Sequence, residues 1–103
     1  MTVPFLDLEA INARHADELT AAARRVIDSG WFIHGKEHLT FEREFSEWNG
    51  SGLTVGVANG LDALTLVLRA WIQLGKIVPG DEVIVPANTY IASVLAVTEC
   101  GLV

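Results

Sequence analysis

The chain opens on a long amphipathic stretch. Between residues 8 and 27, Leu8, Ile11, His15, Leu19, Ala22 and Val26 recur at steps of three and four, the spacing that sets side chains on one face of an α-helix. One continuous helix is predicted there, with His15 packed on its apolar stripe. Asp28, Ser29 and Gly30 close it, Gly30 in the left-handed cap position that glycine fills without steric cost. Trp31, Phe32, Ile33, His34 and Gly35 then form an unusually apolar connection, which is expected to pack against another surface. Phe41, Phe45 and Trp48 recur at i, i+4 and i+7 among Glu42, Arg43, Glu44 and Glu47. This predicts a short second helix that buries one aromatic stripe, with Lys36 in the loop before it.

After residue 52 the pattern changes to short apolar runs alternating with helical stretches, which is how parallel sheets with covering helices read. Residues 53–58 form the first strand candidate, and Asn59 and Gly60 turn the chain into a helix over 61–74. Leu61, Leu64, Val67, Leu68, Trp71 and Ile72 cover most of that helix's circumference, so it is expected to be buried on more than one side. Pro79, Gly80 and Asp81 lead into a β-branched strand over 82–85, and a helix is expected from about Tyr90 to Glu99, capped by Asn88 or Thr89. Gly101, Leu102 and Val103 read as the start of a third strand. The predicted class is α/β: a helical preamble over residues 1–52, then an incomplete βαβα unit over residues 53–103. A crossover unit without its final strand suggests a truncated protein, expected to fold only marginally in isolation because apolar surface is left uncovered.

Composition narrows the setting. A chain of 103 residues allows one ordinary domain or a piece of one. Its net charge of −6 and lack of any basic run argue against nucleic acid, whose phosphates call for a positive stripe. Cys100 is the only cysteine, so no internal disulfide forms, and a buried, inert thiol is expected. Neither a signal-peptide pattern at the start nor a membrane-length apolar run is present. A cytoplasmic protein without membrane association is the expectation.

Two turns carry candidate chemistry. Gly56, Val57, Ala58, Asn59, Gly60, Leu61 and Asp62 join the end of an apolar strand to the start of a helix. The first helical N–H groups there lack intrahelical partners and sit at the positive end of the dipole, while Gly60 lets an anion approach the backbone. The turn lacks the lysine and hydroxyl residue of a nucleotide P-loop and the spaced glycines of a dinucleotide fingerprint. An Asn-capped turn with no ligand explains it equally well. Pro86, Ala87, Asn88, Thr89 and Tyr90 form a second strand-to-helix turn, where Tyr90 could present a flat face to an aromatic ligand or stand as an ordinary surface residue. His34 and His38 have no carboxylate pair at metal-ligand spacing, so no metal site is predicted.

Taken together, these stretches resemble the DegT/DnrJ/StrS family of sugar aminotransferases. The likeness runs through Pro4, Phe5, Leu6, Asp7 and Leu8; Ser29 and Gly30 with Gly35; Phe41, Glu42 and Phe45; 56–64; and 79–90. It implies the amino-terminal part of the large domain of a fold type I enzyme that depends on pyridoxal 5′-phosphate. It also implies a homodimer with active sites at the subunit interface. By the resemblance, Gly60, Leu61 and Asp62 offer backbone N–H groups to the cofactor phosphate, Tyr90 stacks on the pyridine ring, and Phe32 and His34 lie near the sugar. Many members have threonine where this chain has Leu61, which removes a hydroxyl contact and leaves the backbone to serve.

The implied reaction moves an amino group from an amino acid, glutamate by analogy, to a keto group on a nucleotide-linked deoxysugar. Asn59 with Leu61, and the Asn88, Thr89 and Tyr90 version of the second motif, resemble members that aminate the sugar's third carbon. The family's chemistry also uses a Schiff-base lysine and an aspartate beside the pyridine nitrogen. Lys36 and Lys76 are the only lysines, and neither matches the catalytic position. No catalytic residue is assigned in this chain, which alone is expected to be inactive. Two other classes stay open: a non-catalytic fragment that pairs with another chain, and an α/β module binding a different phosphorylated ligand after Ala58.

Overall fold

A computed structural model describes residues 4–103, which separate into two compact units meeting between Val55 and Gly56. In the first unit the expected single helix is two helices, α1 (Leu8–Ala13) and α2 (Ala16–Ser29). Asp7 caps α1 by accepting from the Ala10 N–H at 2.9 Å. The break falls at His15, whose φ of −124° and ψ of 17° leave the helical range, so the periodic pattern continues across a joint that it does not reveal. Asp17 and Glu18 then favour a fresh N-terminus by facing the positive end of the α2 dipole. His15 is exposed beside Glu18, not packed on an apolar stripe as predicted. Gly30 ends α2 with φ of 65°, as its position in the sequence implied.

Helix α3 (Lys36–Asn49) begins earlier than expected, so Lys36 is its first residue and no longer part of a loop. Phe41, Phe45 and Trp48 do form one stripe, with ring centroids 5.6 and 5.5 Å apart. All three rings remain exposed, contrary to the expected burial. The aromatic connection is exposed too, at Trp31, Phe32 and Ile33. Among the described residues no helix is long and apolar enough to cross a membrane.

The second unit holds α4 (Gly60–Gln73) and α5 (Ala92–Glu99), which pack against each other. Their core comprises Leu68, Ala96, Val97, Cys100 and Leu102, with Leu61, Ile72, Ile77, Val83 and Val85 packed around it. Helix α4 buries only Thr65 and Leu68, while Leu64, Leu66, Val67 and Trp71 stay exposed. The expectation of burial on several sides therefore fails within this chain, where α5 and the following turn cover one face. Cys100 is buried, as predicted, and its Sγ donates to the Thr65 carbonyl at 3.7 Å.

Both helices end in the same hydrogen-bonded cap. After α4, Gly75 turns left-handed with φ of 66°, its N–H donates to Ile72 O, and the Lys76 N–H donates to Trp71 O at 2.9 Å. After α5, Gly101 has φ of 71°, its N–H donates to Thr98 O, and the Leu102 N–H donates to Val97 O at 3.1 Å. This arrangement satisfies carbonyls that the helix leaves open and returns an apolar residue, here Leu102, to the core.

The α/β expectation is met in part. Among the described residues the helices are the only regular elements, and 53–57 and 81–86 form no sheet ladder. A strand becomes regular only when a neighbour accepts and donates along its length. Such pairing starts at Val103: its N–H donates to Asp81 O at 2.9 Å, and the Val83 N–H donates to Val103 O at 2.7 Å. Those two bonds have the parallel pattern, in which one residue bridges two positions of its neighbour. The segment after α5 thus returns alongside the segment before it, as a βαβ crossover requires.

Candidate functional site

The Asn59 turn is built by its own side chains. Asn59 is extended, with φ of −163° and ψ of 176°, and caps α4: its Oδ1 accepts from the Asp62 N–H at 2.9 Å. The Asn59 carbonyl accepts from the Ala63 N–H at 3.1 Å. Asn59 Nδ2 also donates to Asp62 Oδ2 at 3.1 Å. Of the first four helical N–H groups, those of Asp62 and Ala63 are therefore occupied, leaving Gly60 and Leu61 as available donors. A Cβ placed on Gly60 would meet nothing within 4 Å, so the space beside this turn is open.

Tyr90 stands on the rim of the same opening. A recess of about 570 Å³ is lined by Asn59, Gly60 and Leu61 from one turn, by Tyr90 and Ile91 from the other, and by apolar side chains of the two helices. Ligand sites commonly combine such apolar walls with a few directed polar groups. The Tyr90 ring is 81% exposed, free to receive a flat partner. Helix α5 starts after Tyr90, with Ile91 at its cap position and no side-chain capping bond. Neither Asn88 nor Thr89 is the cap that was expected; Thr89 Oγ1 instead lies 2.9 Å from Ser93 Oγ.

The structure thus brings Gly60, Leu61 and Tyr90 to one recess, whereas Asp62 does not line it and its N–H is already bonded. Asn59 is the helix cap that one reading of the turn gave, Asn with Asp three residues later being a helix-start pattern, whereas its second bond, from Nδ2 to the Asp62 carboxylate, was not read from the sequence. Lys36 and Lys76 are not among the lining residues.

Phe32 and His34 belong to the first unit. Phe32 lines a separate recess of about 410 Å³ with Arg25, Ser29, Trp31, Lys36 and Thr40 among its other walls. His34 is not in that lining; it has φ of 49° and sets its ring edge-on to His38, with centroids 4.8 Å apart. His38 Nε2 lies 2.9 Å from Glu42 Oε1. At the base of the connection, Arg25 Nε donates to Glu37 Oε1 at 2.7 Å and Arg25 Nη2 to Glu37 Oε2 at 3.1 Å. Hydrogen bonding to Arg25 holds the Glu37 carboxyl below its usual range, and the same bond raises the Arg25 guanidinium. Gly35 is required here, because a Cβ would lie 2.6 Å from Trp31 O.

Available N–H donors at the turn into α4 and an exposed aromatic ring just before α5 give this recess the features that suit a ligand with an anionic group and a flat ring. Residues 13–103 match the DegT/DnrJ/EryC1/StrS aminotransferase family, and the chain belongs to it. It is 54% identical over 99 residues to a dTDP-3-amino-3,6-dideoxy-alpha-D-galactopyranose transaminase of Aneurinibacillus thermoaerophilus, covering 96% of this chain and 26% of that protein. It is 52% identical to the dTDP-3-amino-3,4,6-trideoxy-alpha-D-glucose transaminase of Streptomyces venezuelae, covering 96% of this chain and 25% of that protein. The crystal structure of S. venezuelae DesV in complex with a ketimine intermediate superposes with a TM-score of 0.84 at 51% identity, over 97% of this chain and 26% of that one. The chain spans about a quarter of the length of these relatives.

Proposed function

We propose that this chain is the cofactor-holding segment of a pyridoxal-phosphate-dependent transaminase that aminates a nucleotide-linked keto sugar. The observation that carries this reading is the shared recess, where the unbonded N–H groups of Gly60 and Leu61 and the exposed ring of Tyr90 face one open space. The residues present fit the cofactor: Gly60 and Leu61 would hold its phosphate at the positive end of the α4 dipole, and Tyr90 would lie against its ring. Leu64, Ile91, Ala92 and Leu95 would keep water from that ring. When bound, pyridoxal 5′-phosphate supplies the electron sink that lets an amino group move between carbon centres. Phe32 and His34 would contact the sugar in the same reading.

Support for the sugar's third carbon comes from the relatives' names, which describe 3-amino products on dTDP-linked sugars. Glutamate as donor, a homodimer and a cytoplasmic setting complete the proposal. Lys36 and Lys76 lie outside the recess lining, so this chain alone would not catalyse the transfer.

The test uses the complete polypeptide that carries this segment, supplied with pyridoxal 5′-phosphate, glutamate and a dTDP-linked 3-keto-deoxysugar. Release of 2-oxoglutarate with nitrogen appearing at the third carbon is expected. Amination at the fourth carbon would overturn the assignment of position, and no cofactor-dependent release with either regioisomer would overturn the reaction.

A further inference from the structure

Asp62 poses an electrostatic problem for the proposed phosphate site. Its carboxylate stands in the first turn of α4, where it competes with any bound anion for the positive end of the helix dipole and repels it directly. The side chain of Asn59 contacts Asp62 at both ends: Oδ1 accepts from the Asp62 N–H at 2.9 Å, and Nδ2 donates to the Asp62 carboxylate at 3.1 Å. Asn59 lines the recess and Asp62 does not. An N-cap needs only the first of these contacts, and serine or aspartate would provide it as well. The second contact needs the amide donor, which among the common caps asparagine alone supplies.

We infer that Asn59 is a positioning residue for the phosphate end of the recess: its amide ties the Asp62 carboxylate back and leaves Gly60 and Leu61 as the anion-facing donors. This rests on the cofactor reading above. A cap alone would affect folding; a tie on a carboxylate affects the affinity for a charged ligand in particular.

The experiment measures dissociation constants of pyridoxal 5′-phosphate and of unphosphorylated pyridoxal for the complete apoprotein, together with thermal midpoints. Asn59→Ser keeps a capping oxygen but removes the amide donor. It is expected to weaken pyridoxal 5′-phosphate about fivefold or more, with pyridoxal affected much less. Asp62→Asn in the Asn59→Ser background is expected to restore phosphate-specific affinity, because the untethered charge is gone. A purely structural cap would lower the thermal midpoint and leave the ratio of the two affinities unchanged, and that result overturns the inference. Equal loss of both ligands in Asn59→Ser, or no rescue by Asp62→Asn, overturns it too. If the unaltered protein shows no preference for the phosphorylated ligand, the cofactor reading falls together with the inference; if it does and Asn59→Ser retains it, only the inference falls.

Discussion

Replacing Tyr90 with alanine separates folding from cofactor contact. The ring is 81% exposed and lies outside the buried cluster of the second unit, so its removal opens no cavity in that cluster. Exposed substitutions of this kind usually change stability within about 0.5 kcal/mol. Stacking of one aromatic ring on another contributes about 0.5–1.5 kcal/mol beyond area burial. At about 1.4 kcal/mol per tenfold, losing it should weaken pyridoxal 5′-phosphate roughly two- to twelvefold. Tyr90→Phe keeps the flat face and should bind within about twofold of the unaltered protein. The assay is quenching of intrinsic fluorescence as the complete apoprotein is titrated with cofactor, with a thermal melt of each variant alongside. Unchanged affinity in Tyr90→Ala would refute the stacking role. An equal loss in Tyr90→Phe would point to the hydroxyl and refute it also.

Other expectations concern the scaffold. Gly35→Ala places a methyl group 2.6 Å from the Trp31 carbonyl oxygen, which is backbone and moves only with the turn; a loss of about 1–3 kcal/mol is expected in urea unfolding. Leu68→Ala removes the buried α4 contact with α5 and should cost about 2–4 kcal/mol by the same measurement. The Arg25–Glu37 pair sets a pH dependence with a definite sign. Because the Glu37 carboxyl is depressed in the folded chain, its contribution is present above the carboxyl's unfolded value and is lost as pH falls through the lower folded one. Denaturation midpoints of the unaltered protein and Glu37→Gln should therefore differ at neutral pH and converge in acid. A constant difference would contradict the pairing, and high salt should shrink it.

Helix existence was legible from periodicity, helix boundaries less so. The repeat through Leu8, Ile11, His15 and Leu19 spans two helices, because a joint at His15 preserves the spacing while its backbone leaves the helical range. Caps depend on one residue's dihedral angles, which apolar patterning does not encode; this is why Thr89 was misread and Ile91 overlooked. Burial was over-predicted for Trp48 and for the outer faces of α4, because periodicity tells which face is apolar but not what covers it. Strands failed to become ladders for a related reason. Residues 53–58 and 82–85 have the right composition, yet a ladder needs a paired neighbour along its length, and the pairing at Val103 only begins one.

The recess was more legible than the sheet because its polar end depends on local chemistry at two chain reversals. Asn59 and Gly60 set the first N–H groups of α4 free by a cap that begins at the third helical residue, which involves only neighbours in sequence. The placement of Tyr90 beside them was implied by the family resemblance and not by local pattern. That placement follows from packing: Leu68 of α4 meets Ala96 and Val97 of α5 in one cluster, and Leu61, beside Gly60, packs against the same cluster while lining the recess. Core and site are therefore mechanically joined through Leu61. A shorter side chain at Leu68 should loosen the register of α4 on α5 and widen the recess even where the chain stays folded. Its cofactor affinity should then fall further than its distance from the opening would suggest, in contrast to Tyr90→Ala, which alters the wall without moving the helices.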